Sequence, residues 1–244
     1  ISALSGYNVV NVSENMHWSK NGPVMRMLQT AEISADRNYS DFRFPVQYVN
    51  RPNLNFRGFC GTVASGVVRK GDEITILPSK KTSRVKSIVT FDEEIELAHA
   101  EMAITLTLED EVDVSRGDVI THSSNLPTSR NHFEANVVWM TESPLLPGKN
   151  YDLKISSSTV TAQIKTIRNK IDVNTLKKHP TPTLELNEIG LVEVSLDKSV
   201  CFDAYIANRA TGSFIIVDRL TNASVGAGMI DCEQQQKIPK TEAN

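Results

Sequence analysis

The chain has 244 residues, with 26 Lys and Arg against 29 Asp and Glu and a formal net charge of −3. That length holds two or three compact domains, and the charge balance gives no general basic footprint for nucleic acid. Cys60, Cys201 and Cys232 form no C-x-x-C pair and are odd in number, which argues against a paired disulfide scaffold; no apolar run is long enough for a membrane span and no secretory segment opens the chain, so a cytoplasmic location is expected.

Ile1-Ser2-Ala3-Leu4 lacks an initiator Met and reads as the middle of a domain, so a truncated or processed piece is expected. "ISALSGYNVV" predicts a short strand running into a turn at Ser5-Gly6. "NGPVMRMLQTAEI" predicts a helix with Pro23 in its first turn and Val24, Met27, Leu28 and Ala31 along one apolar stripe. One strand and one helix cannot close a core by themselves.

From Phe42 the pattern becomes β. "FRFPVQYVN", "FRGFCGTV", "EITILP", "TSRVKSIVTF", "MAITLTL" and "GDVIT" are short apolar runs separated by turns, the signature of an antiparallel barrel. "RKGD" and "SRGD" each put Gly71 or Gly117 just before a strand, a turn device. The polar, proline-containing "SSNLPTSRN" places a boundary near residue 130. A second all-β segment follows, with strands in "FEANVVWM", "YDLKISSSTVTAQIKTI", "GLVEVSLD", "SFIIVD" and "SVGAGMI", and long helices are not expected between 42 and 235.

Asn169-Lys170-Ile171-Asp172 has the N-K-x-D form that reads guanine in nucleotide-binding GTPases. That role needs a phosphate loop, G-x-x-x-x-G-K-[ST], in the same domain. The sequence contains none: Gly148-Lys149 is followed by Asn150 and has no first glycine in frame. The motif is expected to be a strand end and turn.

Other candidates also read as structural. His17, His99, His122, His132 and His179 show no ligand spacing, so no metal site is expected. Cys60 and Cys201 read as small buried hydrophobes. The acidic stretches at 92–96 and 108–114 read as solvated loops, and Lys80, Lys81, Arg84 and Lys86 as guards of an exposed strand. Arg209, Gly212 and Asp218 read as a turn with an ion pair at a strand edge.

"FRGFCGTVASGVVRKGDEITILPSKKTSRVKSI" (56–88) resembles the second domain of translation-factor-type GTPases. "RNKIDVNTL", "LNEIGLVEVSL" and "NRATGSFIIVDRLTNASVGAGMI" resemble the third domain of one branch of that superfamily. Together with "FPVQYVNRPNLNFRGFCG", they make the chain most similar to the large GTP-binding subunit family of bacterial sulfate adenylyltransferase, the CysN family. The resemblance implies a mainly β fold: two translation-factor-type antiparallel β-barrels preceded by the C-terminal remnant of an α/β P-loop GTPase domain. The implied boundaries are 1–40 for the remnant, 41–130 and 131–235 for the barrels, and 236–244 for a tail. Ser2, Ala3 and Leu4 match the family's last guanine-contact loop, and no catalytic residue is expected in this stretch.

The resemblance further implies GTP and Mg2+ in a full-length protein, with none expected bound here. Its activity would be formation of adenylyl sulfate and pyrophosphate from ATP and sulfate, driven by GTP hydrolysis. The implied partner is the small catalytic subunit of sulfate adenylyltransferase, with no nucleic acid and no membrane. The rival readings are elongation-factor barrels that bind aminoacyl-tRNA, and a free-standing barrel protein without a nucleotide link.

Overall fold

A computed structural model describes residues 1–31, 38–53 and 56–231. The chain divides into two units, residues 1–37 and residues 38–244. The tail at 236–244 and Cys232 lie outside the described residues.

In the first unit, the turn expected at Ser5-Gly6 forms, but the short strand expected before it does not. Ser2 and Tyr7 instead make a single antiparallel bridge, with the Ser2 N–H donating to the Tyr7 carbonyl at 3.0 Å. Gly6 (φ 70°) and Asn8 (φ 54°) sit in the left-handed region, which curls an apolar run that would otherwise extend. Asn8 is the organiser here. Its buried side chain accepts from the Ser13 N–H at 2.8 Å, and its carbonyl accepts from the Val24 N–H at 3.0 Å. Helix α1 (Val24–Thr30) follows the expected run, but Pro23 is its extended N-cap rather than a first-turn residue. Pro23 therefore precedes the helical dihedrals that it would otherwise help to start. The apolar stripe is real, yet α1 buries none of its residues; Met27 and Leu28 are exposed.

The second unit holds two barrels. The first is built from β1 (Arg43–Asn53), β2 (Phe56–Thr62), β3 (Val67–Arg69), β4 (Glu73–Leu77), β5 (Lys81–Val89), β6 (Glu94–Ile95), β7 (Leu97–His99), β8 (Ala103–Leu108) and β9 (Val119–His122). Its ring runs β4-β9-β1-β2-β8-β5, and a β4–β5 pairing closes it; β6 extends the sheet from β5, and β3 pairs with β7 as a separate ribbon. Phe42, Phe44, Val46, Ile74, Ile76 and Leu106 fill its interior. The two glycine turns are alike in detail. Asp72 accepts from the Arg69 N–H at 2.8 Å and Asp118 from the Ser115 N–H at 2.9 Å, with Gly71 and Gly117 at positive φ.

The second barrel comprises β10 (Thr128–Trp139), β11 (Asn150–Ile155), β12 (Ser158–Ile171), β13 (Lys178–His179), β14 (Ile189–Phe202), α2 (Arg209–Gly212), β15 (Ser213–Val217) and β16 (Ser224–Asp231). Its ring runs β11-β15-β16-β10-β14-β12 and closes through β11–β12. The alternation of β10 puts Phe133, Ala135, Val137 and Trp139 in the core. Two strands outrun their apolar signal. Strand β14 continues past Asp197 to Phe202, because Thr128, Ser129 and Arg130 of β10 pair with Phe202, Cys201 and Val200 beyond a bulge. Strand β12 runs on through Asn169, Lys170 and Ile171, all paired with the start of β14.

Candidate functional site

The opening loop presents Ser2, Ala3 and Leu4 at the surface, with Leu4 fully exposed. The Ser2 N–H is spent on Tyr7, and the Ser2 hydroxyl accepts from the Ser5 N–H at 3.4 Å. Among the described residues, the N–H groups of Ala3 and Leu4 have no intramolecular acceptor. The loop therefore leaves two backbone donors available, which suits a ligand carbonyl oxygen.

Asn169 and Asp172 do not form a guanine site within the second unit. Asn169 is a ladder residue of β12. Asp172 caps the turn that follows, its carboxylate accepting from the N–H groups of Asn174 (2.9 Å) and Thr175 (2.8 Å). The Thr175 backbone bond is the largest of the effects that hold the Asp172 carboxyl below its ordinary value. Lys170 pairs with Glu188 at 2.6 Å. The motif's polar groups are thus used within the fold, apart from the Asn169 side-chain oxygen, which has no hydrogen-bond partner among the described residues.

The densest polar constellation is one that local sequence reading missed: the seam between the barrels. Arg43 lies on β1 between Phe42 and Phe44, which point into the first barrel, so its own side chain projects outward. It is nevertheless 3% exposed, because the second barrel covers it. Its Nε donates to Asp203 Oδ2 at 2.9 Å and its Nη2 to Asp203 Oδ1 at 3.0 Å. Its Nη1 donates to the carbonyls of Phe42 (3.0 Å) and Asn125 (2.9 Å). Thr211 completes the Asp203 shell with a hydroxyl bond of 2.7 Å.

A second thread runs alongside. Asn208 caps α2 with its side-chain oxygen and donates its amide to the Ser65 hydroxyl at 2.7 Å. Ser65 in turn donates to the Asp41 carbonyl. Asn38 and Asn125 both donate to the Asp41 carboxylate, and these bonds, Asn38 first, outweigh its partial burial and lower its pKa. Asn38 also donates to the Ala207 carbonyl at 3.1 Å. Ser158 donates to the Gly117 carbonyl at 3.1 Å, and Leu77, Val119 and Cys201 form a small apolar cluster. The Arg43–Asp203 pair is doubly hydrogen-bonded and the Asp41 carboxylate accepts from two amides, so the desolvation cost of these charges is offset by bonds that also orient the two barrels. The available signal was one Arg set between two core phenylalanines.

The remaining candidates serve structure. Cys60 is half-buried with its sulfur 3.3 Å from the Thr105 hydroxyl; burial pushes the Cys201 thiol up to about 11. Arg209 and Gly212 belong to α2, where a Cβ on Gly212 would stand 2.5 Å from the Tyr205 Cα. Asp218 pairs with Lys149 at 2.7 Å and caps its own turn. Lys81 reaches Asp113 of the second acidic stretch at 3.8 Å, and Arg84 reaches Glu73 at 3.5 Å. Among the described residues, no group of three His, Cys, Asp or Glu side chains is placed to hold a metal ion.

Two family models match the barrels: elongation factor Tu domain 2 over residues 60–121, and GTP-eEF1A C-terminal domain-like over residues 132–231. The chain is 54% identical over 244 residues to sulfate adenylyltransferase subunit 1 of Cellvibrio japonicus, covering 100% of this chain and 52% of that protein. It is 53% identical over 242 residues to the subunit 1 of Pseudoalteromonas atlantica, covering 99% and 52%. It is 56% identical over 230 residues to the bifunctional enzyme CysN/CysC of Rhodopirellula baltica, covering 94% and 36%. The chain thus spans about half the length of the subunit 1 relatives and about a third of the bifunctional one. Among solved structures, Sup35 complexed with GDP aligns with a TM-score of 0.73 at 19% identity, covering 94% of this chain and 57% of that one. Translation elongation factor SelB from Methanococcus maripaludis, in its apo form, aligns at 0.66 and 21% identity, covering 85% and 46%. At those identities the structural likeness bears on fold alone.

Proposed function

The chain belongs to the family of sulfate adenylyltransferase subunit 1, and from that premise we propose that its barrels are the coupling body of a GTP-dependent sulfate adenylyltransferase. The reaction joins ATP and sulfate into adenylyl sulfate and pyrophosphate. Its sulfate–phosphate anhydride returns readily to ATP, so the forward direction needs a driver. GTP hydrolysis supplies one if two states of the assembly bind their ligands or partners differently. The adenylyl-transfer site is assigned to a smaller second subunit, and no catalytic role is assigned to this stretch.

The observation that carries the reading is identity above 50% across essentially the whole chain. The seam supports it physically. A doubly hydrogen-bonded Arg43–Asp203 pair makes the two barrels move together, so a small rotation at one end displaces a distant surface. In a full-length protein, the N–H groups of Ala3 and Leu4 would help to hold the guanine base of GTP. Bound GTP would supply phosphate-anhydride hydrolysis as the driver. The phosphate-binding loop and the groups for Mg2+ are assigned to the part of the relatives' length that this chain does not span.

The test is to purify the full-length protein with its second subunit and follow adenylyl sulfate formation from ATP and sulfate with and without GTP. Stimulation by GTP supports the proposal. Absence of stimulation, with retention of aminoacyl-tRNA instead, refutes it in favour of the elongation-factor reading.

A further inference from the structure

We propose that the end of the second barrel remote from the seam is the docking face for the second subunit, an inference that rests on the subunit reading above. Strands β10, β12 and β15 finish at this end, and three loops, residues 140–149, 172–188 and 218–223, form it. They carry six large apolar side chains turned to solvent: Met140, Leu146, Val173, Leu176, Leu186 and Leu220, the last 88% exposed. Between the first and third loops lies a cleft of about 440 Å³ with Trp139 and Tyr151 at its base and Pro144, Leu220 and Ala223 among its walls. Apolar side chains gathered on one end of a barrel, rather than scattered, mark an interaction surface.

The loops are held in place before any partner arrives. The Trp139 indole donates to the Ser143 carbonyl at 2.7 Å. Asp218 caps the third loop, Asp172 caps the second, and the Glu188 carboxylate accepts from the Glu185 N–H at 2.9 Å. One residue is held at a cost. Leu176 adopts φ 57°, a conformation that suits Gly or Asn and strains a branched side chain, yet that side chain is 76% exposed and packs no core. The fold gains nothing from leucine there; a docking surface does.

The charge of the face selects the occupant. The three loops hold four cations (Lys149, Lys177, Lys178, Arg219) against five carboxylates (Glu142, Asp172, Glu185, Glu188, Asp218). Lys149 and Asp218 pair with each other, Arg219 pairs with Asp152, and Glu188 with Lys170. A near-neutral, apolar face suits an apolar protein surface and not a phosphate backbone. The 14 residues of β12 separate this face from the seam end, roughly 45 Å at about 3.3 Å per residue.

The experiment uses the full-length protein and its purified second subunit, with affinity measured by titration calorimetry. Val173→Asp, Leu176→Asp and Leu220→Asp together are expected to weaken association by about 100-fold, with guanine-nucleotide affinity unchanged. Phe91→Asp, on an equally exposed aromatic of the first barrel, is expected to stay within twofold. Leu176→Gly guards against misfolding: it is expected to keep or raise the melting temperature while weakening association. Unchanged association in the triple variant overturns the inference and leaves the subunit reading intact. Loss of self-association alone would assign the face to a second copy and overturns it as well. Failure of the unsubstituted protein to bind the second subunit refutes both readings.

Discussion

Arg43 and Asp203 stand 160 positions apart and meet through two parallel hydrogen bonds, at 2.9 and 3.0 Å, at the junction of two barrels. The pair is nearly sealed from water, with side-chain exposures of 3% and 13%. Arg43→Ala would leave Asp203 buried with Thr211 as its remaining side-chain partner. The expected loss is about 3–5 kcal/mol, read as a lower denaturant midpoint. Arg43→Lys is expected to restore little, because an ammonium cannot reproduce the planar fork.

Gly66 offers a backbone test of the same region. Its φ is +76°, its N–H donates to the Asn38 carbonyl at 2.7 Å, and a Cβ would stand 2.3 Å from the Phe42 Cα. Gly66→Ala therefore meets both a disfavoured dihedral and immovable backbone. A destabilisation of at least about 2 kcal/mol is expected. Gly71→Ala has a similar φ but open space around it, and is expected to cost less.

Asp218 sets a pH dependence. The Lys149 bond, followed by the Thr221 and Leu220 N–H groups, holds its carboxyl well below the usual carboxylate range. A lowered folded-state pKa means that its stabilisation is complete above the unfolded value of about 4. That stabilisation is then lost as pH falls toward the lower folded-state value. Lys149 is raised by the same contact, so its share is complete below the unfolded lysine value and fades as pH rises through the folded one. Asp218→Asn is expected to flatten the acid limb of stability below about pH 4, measured by urea unfolding across pH 2–7.

Cys201 is expected to resist alkylation in the folded protein. Burial pushes its thiol to about 11, so the reactive thiolate is scarce at neutral pH, and the side chain lies in the cluster with Leu77 and Val119. Mass spectrometry after maleimide treatment should show Cys201 modified only once denaturant is added. Rapid native labelling would mean that the seam opens.

Much of the fold was legible because barrels repeat a local signal. The alternation Phe133, Ala135, Val137, Trp139 declares a half-buried strand, and the paired glycine–aspartate turns mark where strands begin. The misread parts depend on contacts beyond a short window. The run before the Ser5-Gly6 turn looks extended by composition, but it makes a single Ser2–Tyr7 bridge, and Asn8 takes a left-handed dihedral that its bond to Ser13 stabilises. The length of β14 depends on pairing with Thr128–Arg130, some seventy positions earlier. The seam was the least legible feature, since Asp203 in "CFDAY" gives no hint of Arg43. The guanine-like Asn169–Asp172 motif is spent on a ladder and a turn.

Coupling is the central claim, and stoichiometry tests it most directly. In the full-length protein with its proposed second subunit, adenylyl sulfate formed per GTP hydrolysed should fall at least about tenfold for Asp203→Asn, which weakens the coupling of the barrels by of order 1–2 kcal/mol, while GTP hydrolysis itself continues. An unchanged ratio in a folded variant would contradict the account.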